Sequence, residues 1–196
     1  MRVLAMDTTA SLGSLALVDG DRTVEEVRIE APDGFGHLIF GEIQALLDRN
    51  GWRLGDVELF AGASGPGSFT GVRAGLTTVK GLAEANGKLA AGVSNLKALA
   101  SFGRAARRGA VLDARRGDIY GAVYNAELAL VQDEVVMPLA AWKAQLPAGE
   151  IEIIEGPLVL AAAIGRIAQR QGGVDAAAVD ANYVRHADAQ LAWKDR

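Results

Sequence analysis

The sequence predicts an α/β fold of two mixed β-sheets with helices on their faces, the second sheet being abbreviated. Three observations carry that expectation. Strand-like and helix-like segments follow one another in the order βββαβαβα over residues 1–108. The order βββαβα then starts again after "RAARRG", and hairpins followed by crossover units generate mixed sheets. At 196 residues, half of them apolar, the chain is long enough to bury a core in two domains, here 1–108 and 109–196.

Residues 2–6 ("RVLAM"), 13–18 ("GSLALV") and 23–29 ("TVEEVRI") read as three short strands. They are joined by "DTTAS" and "DGDR", whose Asp and Gly residues tolerate hairpin backbone angles. Strands this close in sequence pair antiparallel. From His37 to Asn50 the apolar residues Ile39, Phe40, Ile43, Leu46 and Leu47 keep helical spacing, and Asn50-Gly51 stops the helix. A strand at 57–63 ("VELFAGA"), a helix at about 70–86, a strand "KLAAGVS" and a helix capped by Ser94 and running to about Arg107 complete the first half. In the second half, 109–113, 118–125 and 128–136 read as strands, "LAAWKAQ" as a short helix, "EIEIIE" as a strand and 158–171 as a helix.

A net charge of −4 argues against an unaided grip on nucleic acid, because such affinity comes largely from neutralising phosphates with Lys and Arg. The absence of cysteine removes disulfides, thiol catalysis and zinc–thiolate sites together. The start "MRVLAMDTTA" turns acidic at Asp7, too early for a signal-peptide apolar region. The run "LVLAAAI" is far short of the ~20 residues that span a bilayer. A cytoplasmic chain without membrane contact is expected.

The stretch "GASGPGSFTGVRAG", residues 62–75, carries five glycines. The phosphate loop G-x-x-x-x-G-K-[ST] fails, because no glycine here is followed by lysine. In G-x-G-x-x-G, Gly65 and Gly67 match but Thr70 holds the third position, and in G-x-S-x-G, Pro66 replaces the second glycine after Gly62 and Ser64. What remains is a tight turn before a helix N-terminus, where an anion is attracted weakly. The structural reading is favoured. The secondary one makes Asp7, Thr8, Thr9, Gly65, Gly67 and Ser68 a weak nucleotide or anion site, although Asp and Thr at a strand end close a turn equally well.

In the helix at 70–86, Val72, Leu76, Val79 and Ala83 form an apolar stripe that should face the core. A second stripe, Gly71, Ala74, Thr78, Gly81 and Ala85, carries almost no bulk. Glycine inside a helix costs up to about 1 kcal/mol relative to alanine, so close packing is the expected compensation, against the first helix or against a partner. The consecutive Leu38, Ile39 and Phe40 cannot all be covered from one side and mark an interface.

No catalytic constellation is legible. His37 and His186 lie far apart and in no metal-binding pair. The basic residues Arg104, Arg107, Arg108, Arg115 and Arg116 read either as a helix's last turn followed by a hairpin turn, or as a contact with RNA or an acidic partner.

The segments "RVLAMDTTASLGSLAL", "GASGPGSFTGVRAGLTTVKGLA", "GVSNLKALA" and "LDARRGDIYGAVY" resemble the TsaB (YeaZ) family, over residues 1–125 with a weaker echo in "ANYVRHADAQLAWK". These are bacterial proteins required for threonylcarbamoyl modification of the adenosine next to the anticodon of ANN-decoding tRNAs. The resemblance implies the actin-like, Hsp70-like (ASKHA) architecture of two ribonuclease-H-like halves. It also implies a non-catalytic partner of TsaD, which transfers the threonylcarbamoyl group from its adenylate to tRNA, joined by the ATPase TsaE. The N-terminal helices would pair with TsaD, or with a second copy as a homodimer when TsaD is absent. No intrinsic cofactor is implied, ATP being used by the complex, and tRNA is met only through it. On this sequence the interface would comprise Leu38, Phe40, Gly71, Ala74, Gly75, Thr78, Gly81 and Leu82. The first helix departs from the family's His-x-x-x-L-x-P: "FGHLIFG" puts His37 two positions late and Gly41 at the proline position.

Two rivals come from other classes. An autonomous ATPase or small-molecule kinase would need a glycine-rich adenosine loop after residue 108, and none is seen. A peptidase, suggested because relatives of the family are catalogued beside one, would need a Ser, Thr or metal constellation, and none assembles.

Overall fold

The computed structural model describes residues 1–156 and 159–184; His186 and the end of "ANYVRHADAQLAWK" lie outside the described residues. Strands β1 (Arg2–Asp7), β2 (Leu12–Asp19) and β3 (Arg22–Glu30) form an antiparallel meander. Helix α1 (Ile39–Arg49) leads to β4 (Leu59–Gly65), parallel to β1, and α2 (Phe69–Asn86) leads to β5 (Leu89–Ser94), parallel to β4. The first sheet therefore has the order β3-β2-β1-β4-β5. After α3 (Asn95–Ala100), strands β6 (Arg107–Arg115), β7 (Asp118–Asn125) and β8 (Leu130–Pro138), helix α4 (Leu139–Ala144) and β9 (Glu152–Glu155) build a second sheet of order β8-β7-β6-β9. Helix α5 (Ala161–Gln171) follows.

Successive side chains on a strand point to opposite faces, and β1 divides accordingly. Leu4 and Met6 join the core under α1 and α2, with Leu15, Phe60, Val72 and Val79. Val3 and Ala5 face the other way, into a core with Ile164 and Ile167 of α5 that continues to Tyr120 and Tyr124 of the second sheet. Trp142 of α4 covers the far face of that second sheet with Val111 and Val123. Both faces of the sheet are thus buried along β1, β2 and β4, which is why those strands read as near-continuous apolar runs, while the edge strand β3 is only half-buried.

Two expectations change. The third helix ends at Ala100 and not near Arg107. The backbone N–H groups of Arg104 and Ala105 donate to Glu152 Oε2 at 2.6 and 2.7 Å, drawing the chain out of the helix and into β6. Those two bonds hold the half-buried Glu152 carboxyl below its ordinary range. Helix α5, although it follows the second sheet in sequence, packs on the first. Its free N-terminal amides are taken by first-sheet side chains: Ala161 N–H donates to Ser14 Oγ at 3.1 Å and Ala162 N–H to Glu26 Oε1 at 2.7 Å. A helix without a capping side chain of its own is capped by a distant strand.

Candidate partner-binding groove

Helix α2 begins where the sequence places it. Ser68 accepts from Gly71 N–H at 3.3 Å as N-cap, and Gly87 closes the helix in the left-handed conformation. Val72, Leu76, Val79 and Ala83 are buried, as their spacing requires. The glycines of this helix divide into two groups. A Cβ on Gly71 would lie 2.1 Å from the Thr8 carbonyl oxygen, and one on Gly75 would lie 2.4 Å from Thr8 Oγ1. A Cβ on Gly81 would meet nothing within 4 Å. Gly71 and Gly75 are therefore removed from the expected interface: their close neighbour is the end of β1, which neither alternative drawn from the sequence had named. Thr8 fastens that approach by donating to Gly71 O at 2.7 Å.

The open side of α2 faces α1 across a groove of about 710 Å³. Ala74, Thr78, Gly81 and Leu82 line it from α2, and Phe35, Ile39 and Phe40 from the first helix and its approach. Phe40 is 61 % exposed, more so than Phe69 or Phe102. Leu38 lies outside this lining, half-buried against the core beneath. Phe35, Arg73 and Thr77 line the groove without having been singled out from the sequence; Phe35 precedes the helix, where no periodicity marks it.

The glycine loop sits at the carboxyl ends of β1 and β4, where the sheet's connections reverse direction, a common ligand position in α/β sheets. Here the chain's own groups meet one another. Asp7 Oδ1 accepts from Thr9 N–H at 2.9 Å and Thr9 Oγ1 at 2.7 Å. Asn95 Nδ2 donates to Thr9 Oγ1 at 2.8 Å and to Asp7 Oδ2 at 3.3 Å, while its Oδ1 accepts from Gly65 N–H at 3.1 Å. Ser68 N–H donates to Thr9 O at 2.7 Å, and a Cβ on Gly67 would lie 2.6 Å from Thr9 Cβ. Gly65 has φ +108, a conformation open to glycine alone, and Asn182 N–H closes over the loop by donating to Ser64 O at 2.7 Å. Asn95 escaped the sequence reading, which used only its neighbour Ser94 as a cap.

Burial pushes the Asp7 carboxyl above its ordinary range, against the lowering effect of the bonds from Thr9 and Asn95. Above the unfolded value of 3.8 the folded state thus holds the extra proton, so this group's contribution to stability falls as pH rises toward the folded value. The unfolding free energy of the wild type minus that of Asp7→Asn should decline with pH across that window in chemical denaturation. A flat difference would overturn the assignment.

A second, half-buried carboxylate joins the sheets. Glu134 Oε1 accepts from Tyr124 OH at 2.5 Å and from Ser94 Oγ, and Oε2 accepts from Asn182 Nδ2 at 2.5 Å. Burial, then the neighbouring Glu134 charge, pushes the Tyr124 hydroxyl far up.

The five arginines do not form one cluster. Arg107 and Arg108 open β6, and Arg115 and Arg116 lie at its far end, roughly 26 Å away for eight residues of strand. Arg107 donates to Ala148 O, and Arg108 Nε donates to Ala105 O at 2.9 Å, while Arg104 sits in the turn held by Glu152. Arg115 and Arg116 stand on the hairpin turn, both at positive φ.

Comparison with known proteins places this geometry. Residues 34–156 match the family model described as "TsaD: tRNA N6-adenosine threonylcarbamoyltransferase". The chain is 37 % identical over 129 residues to the tRNA threonylcarbamoyladenosine biosynthesis protein TsaB of Escherichia coli, covering 64 % of this chain and 55 % of the relative. It is 32 % identical over 148 residues to TsaB of Bacillus subtilis, covering 72 % and 64 %. The chain thus spans little more than half to two thirds of the length of these curated relatives. The solved structure of YeaZ from Pseudomonas aeruginosa superposes with a TM-score of 0.78 at 26 % identity, covering 93 % of this chain and 99 % of that one. Among the described residues no helix is long and apolar enough to cross a membrane. With two mixed α/β sheets and these relatives, the chain belongs to the TsaD family of tRNA N6-adenosine threonylcarbamoyltransferase proteins, in its TsaB/YeaZ group.

Proposed function

We propose that this chain is a non-catalytic subunit in cytoplasmic threonylcarbamoyl modification of tRNA, binding TsaD through the groove between α1 and α2. The observation that carries the reading is an apolar groove floored by Ala74, Thr78 and Gly81 and rimmed by the exposed Phe40. Small floor residues admit a partner helix at close range, and an exposed phenyl ring on the rim anchors it. In the absence of TsaD the same surface pairs two copies of this chain.

In this reading the ATPase TsaE and ATP act on the assembled complex, and tRNA is met only there. The glycine loop supports that division of labour, since the amides of Gly65, Ser68 and Gly71 are engaged within the chain and not offered to a phosphate.

The test is a reconstitution with purified TsaD and TsaE, ATP, threonylcarbamoyl-adenylate synthase with threonine and bicarbonate, and unmodified tRNA, with and without this chain. Modified nucleoside accumulating over many turnovers only with the chain is the expected result. Equal yield without it would overturn the role, and ATP turnover by the chain alone would then be measured.

A further inference from the structure

Arg73 is the one charged side chain among those lining the groove. It stands exposed on the first turns of α2, and its surroundings hold it in place. Its guanidinium carbon lies 3.8 Å over the Phe69 ring, and its Nε donates to Tyr183 OH at 3.2 Å. The Phe69 and Tyr183 rings themselves pack with centroids 5.1 Å apart. Among the described residues no carboxylate lies within 4.0 Å of Arg73.

We propose that Arg73 is a specificity-determining cation of the groove, built to receive one carboxylate from a helix of the partner in a two-pronged ion pair. The inference rests on the reading of the groove as the TsaD-binding surface and names the chemistry that its partner must bring. With Nε occupied and one face covered by Phe69, the two terminal amino groups remain, and their spacing matches the two oxygens of a carboxylate. The stack has already removed much of the side chain's rotamer freedom, so less is lost on binding. The groove beside it is walled by Phe35, Ile39, Phe40 and Leu82, which suits a helix with an apolar ridge. A nucleic acid would ask instead for several cations set along its phosphates. The partner is thus an apolar helix carrying an Asp or Glu where it passes the start of α2.

The experiment measures the affinity of TsaD from the same cell for the wild-type chain and for Arg73→Lys, Arg73→Gln and Arg73→Glu over a range of salt concentrations. Melting temperatures are measured alongside; the exposed position predicts that they stay at the wild-type value. Lysine, which keeps the charge but not the fork, should weaken binding about tenfold, and glutamate about a hundredfold or more. Arg73→Gln should flatten the salt dependence. Among Asp→Arg and Glu→Arg variants on the docking helices of TsaD, one should restore binding to Arg73→Glu while losing the wild-type chain.

Affinity of Arg73→Glu within about twofold of wild type, or no restoring variant, overturns the proposal. So does an Arg73→Glu complex that forms normally but retains less tRNA, which would make Arg73 an RNA contact. Gly81→Arg separates the two levels of inference. If it abolishes binding while Arg73→Glu does not, the carboxylate is wrong and the groove stands. If neither variant matters, the groove reading itself fails.

Discussion

Thr78→Arg should abolish binding to TsaD while leaving the fold intact. Thr78 lies in the middle of the groove floor, 8 % exposed, with its hydroxyl donating to Ala74 O at 2.9 Å. An arginine there projects its stem and charge into the volume a partner helix would fill. An uncompensated charge buried in an apolar contact costs about 3–5 kcal/mol, so affinity should drop by a factor of about a hundred or more. Gly81→Arg is the companion variant. Its Cβ meets nothing within 4 Å, so loss of folding cannot explain its loss of binding. Calorimetric titration with TsaD and a circular dichroism melt of each variant decide the matter. Native melts with wild-type affinity would remove α2 from the interface.

Gly71→Ala should have the largest effect on stability, and its sign runs against helix propensity. Alanine is favoured over glycine within a helix by about 1 kcal/mol. At Gly71, however, the new methyl would sit 2.1 Å from the Thr8 carbonyl oxygen and 3.1 Å from Thr9 Cα, both backbone atoms. Thr8 is itself tied to Gly71 O, and Thr9 to Asp7, so the segment cannot retreat cheaply. A loss of about 3 kcal/mol or more is expected, at the upper end of overpacking effects. Gly81→Ala, in the same helix with open space, should gain up to about 1 kcal/mol. Urea unfolding of the two variants reads the contrast directly. A Gly71→Ala protein as stable as the wild type would mean that β1 and α2 do not approach as described.

That contrast also marks how far the sequence reaches. The stripe Val72, Leu76, Val79, Ala83 predicts which face of α2 is buried, because helical periodicity is a local property of the chain. The Ser94 cap is local in the same sense. The division of the small residues is not. Gly71 and Gly75 serve a contact with Thr8, more than sixty positions earlier, while Ala74, Thr78 and Gly81 serve the groove, and in the sequence all are simply small. The arginines show the same limit. "RAARRG" and "DARRG" are near neighbours in sequence, yet a strand running between them carries them to opposite ends of the sheet.

By itself, the sequence determined the α/β class, the order of elements, the buried face of α2, the Ser94 cap and the resemblance to TsaB, all of which follow from local spacing, turn chemistry and matched motifs. Only the tertiary structure decided that α5 returns to the first sheet, that Asn95 and Asn182 close over the glycine loop, and that a groove lies open between α1 and α2. Each of these depends on which groups remain unsatisfied once distant segments meet. Backbone amides at a helix start, a buried carboxylate or the bare flank of a glycine take whatever partner the packing brings, and local spacing does not encode which one arrives.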